Sequence, residues 1–183
     1  MNDLHPIIGD YGAFLQDILE RVARADFDPG DFSQLDHLCY RTSSLDNYQQ
    51  KKQQLGTVGE LLGETPVNGR PIAVFRLHQP ILFKTWRIDA VELPAPKPGQ
   101  ETSEGLQHIE FVLYDSKEAF LAKHTGKQFD LSAAERGINP EIAYRFDDGL
   151  GVKFHLLSLT TVLYLQNKLG ITEVRNEPPG TPV

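Results

Sequence analysis

Residues 86–115, WRIDAVELPAPKPGQETSEGLQHIEFVLYD, decide how the chain is read. They hold two apolar runs, each with one side chain able to bind a metal, Glu92 in the first and His108 in the second. Between the runs lie Pro, Gly, Ser and charged residues, a composition suited to neither helix nor strand. A loop of this kind can join two similar modules. The chain therefore reads as two copies of one small unit, hinged at residues 95–105.

Working back from the hinge, residues 34–94 form the first module. Residues 34–44 alternate as a strand does, with Leu35, His37, Cys39 and Arg41 on one face. A polar helix is expected over 45–55, ended by Gly56. Strands follow at 57–62, 70–77 and 81–93, with Asn68-Gly69 as a hairpin turn. The order is β-α-β-β-β. Upstream, residues 1–33 are a helical extension: 9–25 carry an amphipathic pattern, Asp10 is placed to cap it, and Asp28-Pro29-Gly30 ends it.

Forward of the hinge the same order returns over 106–170. A strand at 106–114 precedes a helix at 115–123, then a short helical turn or loop at 130–137. Strands at 142–146 and 151–157 and a helix at 160–169 ended by Gly170 complete it. Residues 171–183 have the composition of a frayed tail. The two openings match in kind, Asp-His-Leu-Cys-Tyr-Arg at 36–41 against Gln-His-Ile-Glu-Phe-Val at 107–112. This is an internal repeat in element order and histidine position. The expected fold is α+β: a single domain in which two βαβββ modules form one curved, partly open eight-stranded mixed sheet, with the N-terminal helical extension added.

Composition narrows the function. With 183 residues the chain can build one core, or two half-domains sharing one. It carries 18 Lys and Arg against 25 Asp and Glu, a net charge of −7, and no basic run. That argues against a surface built to neutralise nucleic-acid phosphates. No apolar run approaches a membrane span, and MNDLHPIIGD lacks a basic start followed by an apolar segment. The single cysteine, Cys39, excludes a disulfide within the chain and fits a reducing compartment. A soluble cytoplasmic protein is expected, with a small-molecule ligand or substrate and neither nucleic acid nor membrane as partner. The oligomeric state is left open.

His37, Glu92, His108 and His155 each fall inside an expected strand, at the first or last strand of a module. Imidazole nitrogen and carboxylate oxygen suit a divalent metal such as Zn, Fe, Ni or Mn. Such an ion polarises a carbonyl or acidifies a bound water. The plain alternative keeps each histidine as a half-buried strand residue bonded to a neighbour, with Glu92 facing solvent. Glu110 shares a face with His108 and is a candidate catalytic residue, orienting an imidazole or acting as a base. Arg76 is a second candidate, for holding a carboxylate or enolate. Against these stands a simple Arg76–Glu110 pair across strands. Cys39 reads as a small buried residue, His5 and His124 as surface residues, and Trp86 as a cover for the core or a cavity wall.

The segments NGRPIAVFRLHQP, WRIDAVELPAPKPG and EGLQHIEFVLYD, with DHLCYR before them and VKFHLLSL after, resemble the YecM family. That resemblance implies membership of the vicinal oxygen chelate superfamily, which includes glyoxalase I, extradiol dioxygenases and bleomycin-resistance proteins. The superfamily's ligands lie on the first and last strands of each module, and carried over they fall on His37, Glu92, His108 and His155. His155 departs from the glutamate common at that place. The implied activity is metal-dependent isomerase, lyase or dioxygenase chemistry on a small oxygen-bearing substrate. The alternative is a non-catalytic protein of the same fold that binds or sequesters a small molecule, and a weaker third option is a structural interaction domain.

Overall fold

The computed structural model describes residues 4–135 and 138–169. The expected tail at 171–183 and the helix stop at Gly170 lie outside the described residues. Two helices open the chain, α1 (His5–Ile8) and α2 (Tyr11–Arg24). Asp10 caps α2, its carboxylate accepting the Ala13 N–H at 2.9 Å, and α2 buries Leu15, Ile18 and Val22.

The first module follows as β1 (Phe32–Arg41), α3 (Leu45–Val58), β2 (Gly59–Val67), β3 (Arg70–Phe83) and β4 (Trp86–Pro94). Three details differ from expectation, each for a local reason. Helix α3 runs through Gly56 instead of ending there, because Tyr48, Leu55 and Val58 bury against the body. That burial outweighs a glycine penalty of about 1 kcal/mol. The break expected before Pro80 is absent; a register shift between Arg76 and Ile81 accommodates the proline inside one long strand. The last hairpin instead turns after Phe83, with Lys84 at φ 53°, where one strand over 81–93 was expected. Asn68 and Gly69 do form the expected turn, at φ 51° and 76°.

The second module comprises β5 (Gly105–Leu113), α4 (Lys117–Lys123), β6 (Glu141–Arg145) and β7 (Gly151–His155), and α5 (Leu159–Leu169) closes it. Among the described residues the sheet has seven strands, in the order β2-β3-β4-β1-β5-β7-β6, where eight were expected. The missing strand survives as one bridge: Asp130 exchanges two hydrogen bonds with Ala143, at 2.8 and 3.0 Å. Asp130 Oδ1 then accepts the Ser132 N–H, and a turn over 131–134 carries the chain off before a ladder can extend.

At the centre, β1 and β5 pair antiparallel, with β4 parallel to β1 and β7 parallel to β5. The register is twofold-symmetric, His37 opposite Glu110 and Cys39 opposite His108. Two bulges repeat the symmetry. Asp36 is the extra residue on β1 and Gln107 the extra residue on β5, each just before its histidine.

Leu38, Ile109, Phe111 and Phe154 are fully buried, on the face opposite these histidines. The N-terminal extension joins this core through Phe27, whose ring lies 5.2 Å from Phe154, 5.2 Å from Tyr144 and 6.1 Å from Phe120. His124, expected at the surface, is buried beside it with Nε2 2.7 Å from Asp31 Oδ2. Among the described residues no helix is long and apolar enough to cross a membrane.

Phe27→Ala should therefore cost about 3–5 kcal/mol in urea unfolding. A loss below about 1 kcal/mol would show that the extension is not part of the second module's core.

Candidate metal centre

His37, Cys39 and Arg41 from β1, Glu92 from β4, His108 and Glu110 from β5 and Lys153 from β7 line one cavity of about 330 Å³. Strand alternation puts them on one face, and the β1–β5 register brings the two modules' histidines together. Glu110 is the hub. Its Oε1 lies 3.0 Å from His108 Nε2, 3.4 Å from His37 Nε2 and 2.9 Å from Lys153 Nζ, and its Oε2 lies 3.5 Å from His155 Nε2. Glu92 Oε2 stands 3.9 Å from His108 Nε2.

The bulges explain how the imidazoles are aimed. Asp36, pushed out of the ladder, accepts His37 Nδ1–H at 3.0 Å and also the Leu159 N–H at 2.7 Å, tying α5 to the site. Gln107, pushed out of β5, sets its Oε1 on His108 Nδ1, while its Nε2 donates to Gly149 O at 3.0 Å. His155 Nδ1 meets Leu157 O. All three Nδ1 atoms thus have an oxygen partner, which turns the Nε2 atoms inward. His37 Nε2 and His155 Nε2 are buried and hydrogen-bonded to nothing among the described residues.

Three sets of donors each lie within 4.8 Å of one another: His37, Glu92 and Glu110; Cys39, Glu92 and His108; Asp36, His37 and His155. The four ligands expected from the sequence share one sheet face but do not gather at one point. His37, Glu92 and His108 cluster around Glu110. His155 also reaches Glu110, through Oε2, but shares its donor set with Asp36 and His37 and not with Glu92 or His108, its ring 6.1 Å from that of His37. The register gives the reason. Cys39 pairs with Glu92 and Glu110 with Lys153, so the residue equivalent to Glu92 in the second module is Lys153. His155 lies two positions farther along.

Arg76, expected as a catalytic residue, is not brought to the cavity. It lies opposite Ala90 toward the sheet's β2 side, 54% exposed, and pairs with Glu60 at 3.4 Å. It makes no pair with Glu110. Trp86 packs edge-on against Phe111 in the core.

Charge in the centre is held by mutual pairing. Burial favours neutral Glu110, but Lys153 and His37 outweigh it and keep the carboxyl well below its usual range. Burial likewise opposes ionised Glu92, and Lys153 again keeps it low. His37 resists burial because Glu110 and Asp36 raise it well above the ordinary imidazole range. His108 goes the other way: burial and nearby Lys153 lower it to about 4. Lys153 stays cationic against burial through Glu110 and Glu141. Burial and Glu92 keep Cys39 a thiol. A carboxylate held this low is a poor proton acceptor, and its contacts suit Glu110 to orienting the imidazoles.

Sequence reading missed Lys153, Asp36 and Gln107. Lys153 was detectable as the residue two before His155, on the same face. Asp36 and Gln107 precede the two histidines of the repeat, where an acceptor can fix an imidazole.

In metal-free protein His108 should contribute stability that is complete above pH 6.5 and lost as pH falls toward 4, roughly 3 kcal/mol in all. His37 has the opposite sign, its contribution complete below pH 6.5 and lost as pH rises through its raised value. Between about pH 6.5 and 4.5 the wild type should lose stability, and His108→Gln should flatten that slope. A wild-type profile already flat in this window would show that His108 is not held neutral.

The chain matches the family described as YecM protein over residues 3–138. It is 28% identical to Protein YecM of Escherichia coli (strain K12) over 180 residues, covering 89% of this chain and 94% of the relative. A solved structure described as structural-genomics protein EC4020 superposes with a TM-score of 0.70 at 27% identity, covering 84% of this chain and 87% of that one. A homoprotocatechuate 2,3-dioxygenase from Arthrobacter globiformis reaches only 0.44 at 11% identity, covering 72% of this chain and 39% of that chain, and nothing about the chemistry here follows from it. The family match spans well over half of the sequence: this chain belongs to the YecM family.

Proposed function

We propose that the chain is a single-domain, cytoplasmic, metal-dependent enzyme of isomerase, lyase or dioxygenase type, acting on a small oxygen-bearing substrate in the cavity between its two modules. The supporting observation is His37, whose Nδ1 is anchored on Asp36 while its buried Nε2 faces carboxylates without a hydrogen-bond partner. A buried polar nitrogen left without a hydrogen-bond partner costs about 1–3 kcal/mol, which coordination would recover once its proton is displaced. In this reading His37, Glu92 and His108 hold the divalent ion, be it Zn, Fe, Ni or Mn, with Glu110 among them and His155 behind. The bound ion supplies Lewis acidity toward neighbouring substrate oxygens. The chain does the rest. Glu110 and Lys153 fix the local charge, and Ile72, Val74, Val162 and Leu163 wall the cavity with apolar surface that limits water.

One observation favours a second reading, a binding or sequestering module. Lys153 Nζ stands 2.9 Å from Glu110, at the position symmetric to Glu92. It already supplies a cation, and a cavity balanced this way can hold a ligand without metal.

Metal analysis of untagged protein purified without chelator, then Zn²⁺ titration, separates the two. Binding must displace a proton from His37, so affinity should be much lower at about pH 5.5 than at about pH 7.5. Equal affinities would mean that the histidines are not ligands. Lys153→Gln should lower the stability of metal-free protein by roughly 3 kcal/mol, because Glu110 and Glu141 lose the ammonium they share, and should tighten Zn²⁺ binding. Glu92→Gln should weaken Zn²⁺ at least about tenfold. Should no divalent metal bind wild type or Lys153→Gln, the enzyme reading falls and the binding module replaces it.

A further inference from the structure

The cavity wall carries a second chemistry that metal binding does not use. Five cationic side chains line it, and two have carboxylate partners: Lys153 with Glu110 and Glu141 at 2.9 and 3.2 Å, and Arg145 with Asp130 at 3.4 Å. Arg41, Arg70 and Lys97 have no ion pair among the described residues. In a chain with 25 acidic and 18 basic residues, cations readily find acids, so three neighbours left without one require explanation.

These three come from separate places. Arg41 is on β1, on the face of His37 and Cys39; Arg70 opens β3 just after the Asn68-Gly69 turn; Lys97 lies in the connector after β4. Arg70 is fixed by a 2.8 Å bond from its Nη1 to Ala95 O, so its guanidinium does not need to be ordered on binding. The Nε atoms of both Arg41 and Arg70 are buried and have no hydrogen-bond acceptor among the described residues. The repulsion among them is not relieved: burial and then Arg70, Arg41 and Arg145 lower the Lys97 ammonium from its ordinary value. Glu92 acts on Arg70 from a distance, but none of the three cations has a carboxylate in contact among the described residues. Donors without acceptors beside unpaired like charges call for an anion.

We infer that the cavity takes a small organic anion whose carboxylate or phosphate group is received by Arg41, Arg70 and Lys97, with the rest of the molecule over His37, Glu92 and Glu110. The inference narrows the substrate class of the proposed site and rests on that cavity being the ligand site. Guanidinium groups pair with either oxyanion through two parallel N–H donors. A space of about 330 Å³ admits a small molecule and excludes a polymer.

Isothermal titration separates charge from shape. Chelator-treated protein and Zn²⁺-loaded protein are each titrated with benzoate and with benzamide, its neutral counterpart; the metal-free form is also titrated with inorganic phosphate. Benzoate or phosphate should bind metal-free protein, and benzamide should bind at least about tenfold more weakly than benzoate. Arg41→Gln and Lys97→Gln should each cost the anion about tenfold and leave benzamide unchanged. Arg87→Gln, at an exposed arginine paired with Asp89 at 2.8 Å, should change nothing. Carboxylate-only or phosphate-only binding supports the inference and names the group. It is overturned if neither anion binds metal-free protein, if benzamide binds as tightly as benzoate, or if the Arg41 and Lys97 variants bind as the wild type does. Because the anion arms use metal-free protein, absence of Zn²⁺ binding would leave them intact. Zn²⁺ binding with no anion response would overturn this inference alone.

Discussion

The structure depends on the antiparallel pairing of β1 with β5. It joins the modules into one sheet, and its register puts His37 against Glu110 and Cys39 against His108. A slip of one residue would move all four to the opposite face, which is filled by Leu38, Ile109 and Phe111. The two bulges act within this constraint. In a regular strand Asp36 and Gln107 would point away from the histidines that follow them. Expelled from the ladder, each reaches its neighbour's Nδ1 instead. One irregularity, repeated by symmetry, thereby fixes two imidazoles with the same nitrogen facing inward.

Ionised groups in such a place are costly unless each has a partner. The centre meets that demand by sharing. Glu110 lies against His37, His108, His155 and Lys153, so no single contact can be altered without shifting the charge state of the others. This coupling is why two histidines of one repeat are driven in opposite directions. His37, held between Asp36 and Glu110, is favoured as a cation despite burial; His108, with burial reinforced by the field of Lys153, is favoured neutral.

Much of this was legible in the residues. Period-two alternation placed His37, Cys39 and Arg41 on one face, and the match of DHLCYR to QHIEFV announced the internal repeat. Turn chemistry was legible where it was local, at Asn68-Gly69 and at the Asp10 cap. What failed to show was set by tertiary contacts. Gly56 marks a helix end only if nothing packs beyond it, and here Val58 does. Pro80 breaks a strand only if no bulge receives it. The eighth strand shrank to a single bridge because an Asp130 turn competes with the ladder. Arg76 obeys the alternation that nominated it, yet stands too far along the sheet to reach the cavity. Periodicity gives the face and not the distance.

The departures from symmetry carry as much as the symmetry. Under the twofold register Cys39 corresponds to Glu110 and Glu92 to Lys153. A strictly repeated pair would surround the axis with matching donors. Instead, β1 contributes a neutral thiol where β5 contributes a carboxylate, and β7 contributes an ammonium where β4 contributes a carboxylate. Each substitution removes a donor from one half. What remains is lopsided, with Glu92, His37 and His108 around Glu110 on one flank and Lys153 standing where a further ligand would close the set. Under the proposed reading that lopsidedness is functional, because an ion held from one flank keeps coordination positions for a substrate. The second opening of the repeat has Val112 where Arg41 stands in the first, so the unpaired guanidinium is also confined to one side. Asymmetric donors below and asymmetric cations on the wall together give the cavity a direction, and a directed cavity orients one small anion where a symmetric one would accept it either way round.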